Sequence, residues 1–299
     1  MNKEKSVQQK VPTLWVALAI AAISIIWGSS FILVKKSLST YSAMEVGALR
    51  IVSAALFFFP LFIKRRKYIQ ANHWPSFLLA GLTGNLLPAI LFSIAGEHLP
   101  SALSGMLNAF TPLFTLIIGI LLFQQKFELK QTGGIVLGLI GCIGLLVAGK
   151  SFSLQFNVHA LWVILATFLY GINLHTVKSK FSDIHPLTST AGVFMLIGPL
   201  ALMLLAYSGF FARPLSDHAA IWPLVAAMAL GLFGSAIAMV LFNQLIKWTN
   251  ALVASSVTYL IPIVAVIWGL LDGESIYWSQ IVFMCILLWG VYQVNQTKN

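Results

Sequence analysis

The segment WGSSFILVK at 27–35 returns, altered but in register, as YGINLHTVK at 170–178. At a shift of 143, Gly28 meets Gly171, Val34 meets Val177 and Lys35 meets Lys178. Each copy lies at the end of a long apolar run, sets an aromatic and a glycine among polar residues, and closes on lysine. Further on the shift becomes 150. Gly81 then falls on Gly231, Gly84 on Gly234, Leu91–Phe92 on Leu241–Phe242, Pro112 on Pro262 and Gly119 on Gly269. After a one-residue slip to 149, Gln131 meets Gln280, Leu139 meets Leu288 and Gly141 meets Gly290. Glycine and leucine coincide easily in so apolar a chain, but a matched proline flanked by matched glycines does not. The chain therefore divides into a first repeat, 1–150, and a second, 151–299.

Composition identifies the solvent. Of 299 residues, 59% are hydrophobic and 9% charged, with a mean hydropathy of +0.91. A water-soluble domain carries about 25% charged residues, so this chain belongs in a bilayer. A helix needs about 20 apolar residues to cross roughly 30 Å of hydrocarbon. Ten stretches qualify: 14–34, 44–63, 75–95, 101–123, 132–149, 158–177, 187–208, 220–243, 251–271 and 277–295. Connections are short and hold no soluble domain. The expected fold class is all-α, a polytopic membrane protein of ten transmembrane helices in two five-helix repeats.

Loop charge orients the spans. With the N-terminus in the cytoplasm, 13 of the 18 Lys and Arg residues fall on that side: Lys3, Lys5, Lys10, the run KRRK at 64–67, Lys126, Lys130, Lys178, Lys180, Lys247 and Lys298. Lys35, Lys36, Lys150 and Arg213 fall on the other side, and Arg50 lies within the second span. This bias predicts both termini in the cytoplasm of a cell (inner) membrane protein. It also accounts for the net charge of +10 without a nucleic-acid partner. The run KRRKY at 64–68 reads as a topology anchor, with lipid binding as a lesser option. Three early lysines and the small residues GSS resemble a cleavable signal, but a first apolar run of about 21 residues exceeds the usual h-region of about 7–15. A retained first helix is expected.

Five spans per repeat is an odd number, so the second copy enters the membrane from the opposite side. Inverted repeats of this kind mark secondary transporters, with substrate held near the midplane between the halves. The pieces that carry a family likeness lie along nearly the whole chain: WGSSFILVKKSL (27–38), ALRIVSAAL (48–56), SALSGMLNAFTPLFTLIIGILL (101–122), QQKFELKQTGG (124–134) and NALVASSVTYLIPIVAVIWGLLDGESIYWSQ (250–280). In order, spacing and duplication they resemble the EamA family of the drug/metabolite transporter superfamily. The resemblance implies a ten-helix carrier of small organic solutes, typically amino acids and related metabolites, by export or exchange. One departure is visible. The second copy has Gly273–Glu274 six residues before Gln280, where the first has Gln124–Gln125 before Gln131.

Candidate substrate-binding or gate residues follow from polarity at depth. Pro112 and Pro262 lack an N–H, which frees the carbonyls of Asn108 and Thr258. A broken helix beside polar side chains lines a cavity, or else is a packing kink. Ser104, Thr111, Ser255, Ser256 and Tyr259 share these spans. Arg50 lies about six residues into its span. Glu45 or a helix-end carbonyl is its expected partner; it either takes a substrate carboxylate or snorkels outward. Its repeat counterpart lies near Phe194, so that site is not symmetric. Trp27, Ser29 and Ser30 pair with Tyr170 and Asn173; Trp27, about 12 Å short of the membrane exit, is deep for an interfacial anchor and reads as a cavity or gate wall. Lys35 is expected to stabilise a helix C-terminus. Asn85, Asn243 and His175 complete the polar residues in or near spans. Gly134 and Gly138 form a GxxxG for close helix approach, within one chain or in a homodimer.

Rival classes find little support. There is no His-Glu-x-x-His, Gly-x-Ser-x-Gly or cofactor loop in the sequence, so no catalytic, metal or cofactor residue is expected. The two cysteines, Cys142 and Cys285, read as small core hydrophobes. A non-transporting scaffold would have no use for matched mid-span breaks. None of the eight acids falls at mid-span, which favours facilitated exchange over antiport through a central carboxylate. Within transport, a multidrug exporter is the nearest alternative. The expected partners are a small-molecule substrate and the lipid bilayer, for a monomer or homodimer.

Overall fold

The computed structural model describes residues 12–123, 131–148, 157–181, 183–212, 218–249 and 257–296. These residues form helices and turns, with no strand among them. The helices are α1 (Thr13–Ser37), α2 (Ala43–Arg65), α3 (Trp74–Gly81), α4 (Leu87–Gly96), α5 (Ser101–Leu107), α6 (Thr111–Phe123), α7 (Gln131–Val147), α8 (Ala160–Lys180), α9 (Pro186–Tyr207), α10 (His218–Ala229), α11 (Ala238–Trp248), α12 (Val257–Leu271) and α13 (Trp278–Gln296). A π-helical segment, Leu82–Leu86, joins α3 to α4, and another, Leu230–Ile237, joins α10 to α11. A 3-10 turn, Asn108–Phe110, joins α5 to α6.

Seven of the resulting columns are long and apolar enough to cross a membrane; α7, α12 and α13 supply three shorter apolar helices. They fall on the stretches that hydropathy picks out. The first part of the expected ninth span, 251–256, lies outside the described residues. The surface confirms the solvent. Trp222, Trp278 and Met203 are 79%, 83% and 68% exposed. Large apolar side chains bared to water each forgo about 1.5–3 kcal/mol, whereas lipid is their natural surrounding. The protein is a multi-pass membrane protein.

Local chemistry sets several helix ends. Ser42 and Glu45 form a reciprocal capping box at the start of α2, with Ser42 N–H donating to Glu45 Oε2 at 2.9 Å. Glu45 is thereby spent on its own helix and is not the partner of Arg50. The SxxE signature was present in the sequence; it outranks a five-residue reach to Arg50 because it satisfies free N–H groups of the first turn.

Packing follows the duplication. The helix α2 lies along α9, α5 lies against α12, and α7 lies against α13. α1 packs on α12 and on the α10–α11 column; α8 packs likewise on α6 and on the α3–α4 column. Exchanging the two halves leaves this pattern unchanged. The GxxxG of α7 is used within the chain, since a Cβ at Gly290 of α13 would lie 2.6 Å from the Gly134 carbonyl oxygen and collide with Gly138. A core around Phe58, Phe77 and Phe194 locks α2 to α9, with Phe58 and Phe194 stacked at 5.4 Å. The second repeat thus has a core residue, Phe194, near the position that Arg50 holds in the first.

Candidate functional site

The two π segments occupy matched positions of the repeat, and each faces the matched end of the other half. In one, the indole Nε1–H of Trp27 on α1 donates to the Gly234 carbonyl at 2.8 Å. Ser30, one turn further, is buried, and a Cβ at Gly234 would lie 3.1 Å from its hydroxyl. Ser30 Oγ donates to the Ile26 carbonyl at 3.1 Å. In the other, a Cβ at Gly84 would collide with the side-chain amide of Asn173 on α8. Asn173 is the repeat counterpart of Ser30, as Gly84 is of Gly234. The Oδ1 of Asn173 is buried and accepts no hydrogen bond among the described residues. A π turn inserts a residue into the helix and disturbs its carbonyl ladder; glycine then lets the facing side chain approach the backbone.

Arg50 enters this region from α2. Its Nε–H donates to Ser235 Oγ at 2.8 Å, within the second π segment. The half-buried guanidinium ion-pairs with no acid among the described residues. The expectation of Glu45 as partner is thus corrected to Ser235. An aromatic line continues from Arg50's neighbours. Trp27 packs on Phe242 at 5.2 Å, Phe31 meets Phe92 edge-on at 5.6 Å, and Phe92 stacks on Tyr170 at 6.0 Å. Tyr170 thus lies against Phe92, while Trp27, Ser30 and Arg50 gather around one π segment, at Gly234 and Ser235. Asn173 gathers at the other, and Asn85, half-buried, is part of that segment.

The prolines behave differently from each other. Before Pro112 the helix tightens into the 3-10 turn, and the Asn108 carbonyl accepts from Thr111, whose Oγ1 donates at 2.9 Å. That carbonyl is therefore satisfied locally and is not left for a cavity wall; the Asn108 side chain is half-buried. Pro262 is buried inside α12, which continues through it. On α12, Thr258 is half-buried and Tyr259 meets Tyr292 of α13 edge-on at 6.5 Å, so Tyr259 faces α13. Ser255 and Ser256, and the side chain of Asn243, lie outside what is described. His175 is buried, hydrogen-bonded at Nε2 to the Thr115 carbonyl at 2.8 Å and stacked on Phe123 at 4.6 Å.

A charged cluster closes the bundle at the Lys35 end. Lys35 Nζ lies 2.7 Å from both Asp272 Oδ2 and Glu274 Oε1, and Lys36 pairs with Asp272. Gly273, at φ 76°, makes the turn that presents both acids. Glu274 also accepts from the Ser101 and Ala102 N–H groups at 2.9 and 3.0 Å, which ties the start of α5 to the same point. Glu97 accepts from Ala43 N–H at 3.0 Å and ties in α2. Lys35 lies in the last turn of α1, as expected, and is in addition an ion-pair bridge. The hydrogen bonds from Lys35 and Lys36 hold the Asp272 carboxyl below the usual carboxylate range. Burial pushes Glu274 up, but bonds from Ala102 N–H, Lys35 and Ser101 outweigh it and leave the carboxyl low. Between this cluster and the aromatic line lies a space of about 10 Å³, lined by Phe31, Lys35, Phe92 and Ser104 among others, roughly the room one water needs.

Sequence reasoning missed the π segments and the ion-pair cluster. The signal for the first was the matched glycines, Gly81 and Gly84 against Gly231 and Gly234. For the cluster, Lys35 and Gly273–Glu274 stood out singly in the sequence, but not their pairing, since they are far apart in the chain.

An interrupted helical bundle of this kind, built from paired halves, is the architecture of a membrane transport family. The profile of the EamA-like transporter family matches residues 14–147 and 158–296, and the chain belongs to that family. It is 26% identical over 287 residues to the transporter YoaV of Bacillus subtilis (strain 168), covering 93% of this chain and 95% of that one. It is 25% identical over 290 residues to the inner membrane transporter YedA of Escherichia coli (strain K12), covering 94% and 90%. A solved crystal structure superposes with a TM-score of 0.61 at 17% identity, over 95% of this chain and 99% of that one, a likeness in fold alone.

Proposed function

We propose that this protein is a secondary transporter that moves small polar organic metabolites, amino acids or related compounds, by export or exchange through alternating access. On this reading the repeats 1–150 and 151–299 are inverted copies making ten crossings, with both termini cytoplasmic. The observation that carries it is the pair of π breaks at matched positions, each against the matched polar end of the other half. Two breaks related by the duplication supply what alternating access needs: one site reached in turn from either side as the halves rock. The ion-pair cluster then closes the outer end, where Lys35, Lys36, Asp272 and Glu274 hold α1, α5 and the α12–α13 turn together. Arg50 supports solutes with a carboxylate, because a guanidinium at depth with only Ser235 on its Nε has donors left for a bidentate acceptor. No acidic side chain stands beside it among the described residues, in keeping with exchange rather than antiport through a central carboxylate.

The line of Trp27, Phe31, Phe92 and Tyr170 favours a second reading, an exporter of amphipathic drug-like solutes. A metabolite-export screen of an overexpressing strain separates the two. Accumulation of carboxylate-bearing metabolites in the medium is expected. Resistance to cationic amphipathic drugs with an unchanged exometabolome would overturn the metabolite reading in favour of the second.

A further inference from the structure

At the end of the bundle opposite the ion-pair cluster, a cleft of about 630 Å³ opens between the end of α2 and the start of α9, a volume in the range of small-ligand sites. One wall carries Lys64, Arg65 and Lys67. Three cations within four positions repel one another, yet none ion-pairs with an acid among the described residues. The acid in the lining, Asp183, is turned to His73, with 3.3 Å between Asp183 Oδ2 and His73 Nε2. The opposite wall is the first turn of α9, whose N-terminal dipole adds positive potential. There Thr188, 1% exposed, holds Arg65 in place by accepting from its Nη1 at 3.3 Å. This leaves a cleft with three cations to one acid, in which Thr188 fixes Arg65 while Lys64 and Lys67 stand exposed.

Its surroundings select the anion. Just below the cleft, α2 bares Phe59 and Ile63, 54% and 50% exposed, on its lipid-facing side. A free anion gains nothing from that apolar strip, whereas an acyl chain does. We propose that the cleft binds the phosphate-bearing headgroup of an anionic glycerophospholipid, with its chains lying along α2. The bound lipid then stitches α2 to α9. The site is independent of the transport reading, because lipid binding is read without any solute.

The test titrates the purified full-length chain, in neutral detergent, with phosphatidylglycerol, phosphatidylcholine and inorganic phosphate, and follows thermal unfolding. Phosphatidylglycerol is expected to raise the melting temperature saturably, with phosphatidylcholine and phosphate giving no shift. The double variant Lys64→Gln/Lys67→Gln, which alters two exposed side chains, is expected to melt at the wild-type temperature without lipid and to need roughly 30-fold more phosphatidylglycerol for the same shift. An equal shift from phosphatidylcholine, or an unchanged titration in the double variant, overturns the proposal. A full shift from inorganic phosphate makes this a free-phosphate site and overturns the lipid assignment. Should the double variant melt low on its own, lipid titration of Lys67→Gln alone, with an expected loss of about 5-fold, decides in the same way.

Discussion

At the residue scale the account turns on Arg50. A charge-assisted hydrogen bond contributes about 1.5–3 kcal/mol, so Arg50→Gln is expected to slow transport of carboxylate-bearing solutes about 10- to 100-fold. Neutral amphipathic solutes should change less than about threefold. Uptake assays with matched acid and amide substrates read the difference, and equal losses would mean that Arg50 serves folding. Trp27→Phe keeps the ring and removes only the N–H bonded to Gly234. It is expected to lower stability by about 1 kcal/mol, seen as a modest drop in melting temperature, with a larger proportional loss of flux. The depth and polarity of Arg50 and Trp27 were legible in the sequence, since a charge or a deep indole in an apolar run stands out. Their partners were not. Ser235 is 185 residues from Arg50 and Gly234 is 207 from Trp27, and no local pattern reports a distant contact. Of the two partners expected, Glu45 or a helix-end carbonyl, Glu45 instead caps its own helix because the start of α2 needed it more.

At the element scale the π segments and the ion-pair cluster make separate predictions. Gly84→Ala introduces a methyl that collides with the Asn173 amide. It is expected to reduce flux strongly at normal expression, and Asn173→Ala should restore part of it; in a double-mutant cycle, additive losses would mean that the two do not meet. The cluster is tested by acid. Asp272 and Glu274 both have carboxyls depressed by their partners. Their contribution is therefore fully present above the ordinary carboxylate range near pH 4 and is lost as pH falls through the depressed values. Thermal stability should hold from pH 8 to about 5 and decline below about 4. In Glu274→Ala, expected to be less stable by about 1–3 kcal/mol, the acid decline should shrink. A decline centred near pH 6 would instead implicate a histidine. Helix positions were readable from hydropathy because lipid demands unbroken apolar length. The π turns were not readable, because LTGNL at 82–86 and LGLFGSAI at 230–237 sit inside otherwise apolar runs and a few small or polar residues do not distinguish a π turn from ordinary helix; only the repetition of their glycines marked them.

At the scale of the whole molecule, the duplication was the most informative feature. Gly28 on Gly171 and Pro112 on Pro262 were enough to foresee two related halves, and the equivalent packing of α1 and of α8, each on matched helices, fits that reading. The symmetry is broken where function would need it broken. Arg50 faces polar Ser235 while Phe194 fills a core, and the turn acid Glu274 has Gln125 as its repeat counterpart, a position outside the described residues. The central claim is that these paired breaks form one pathway through the membrane, reached from each side in turn. Counterflow tests it most directly: purified protein in liposomes loaded with unlabelled amino acids, with labelled amino acid outside. The account predicts transient, protein-dependent accumulation of label that needs internal solute and is lost in Arg50→Gln and Gly84→Ala. Label entering at the protein-free rate across a broad panel of amino acids and related metabolites would contradict it.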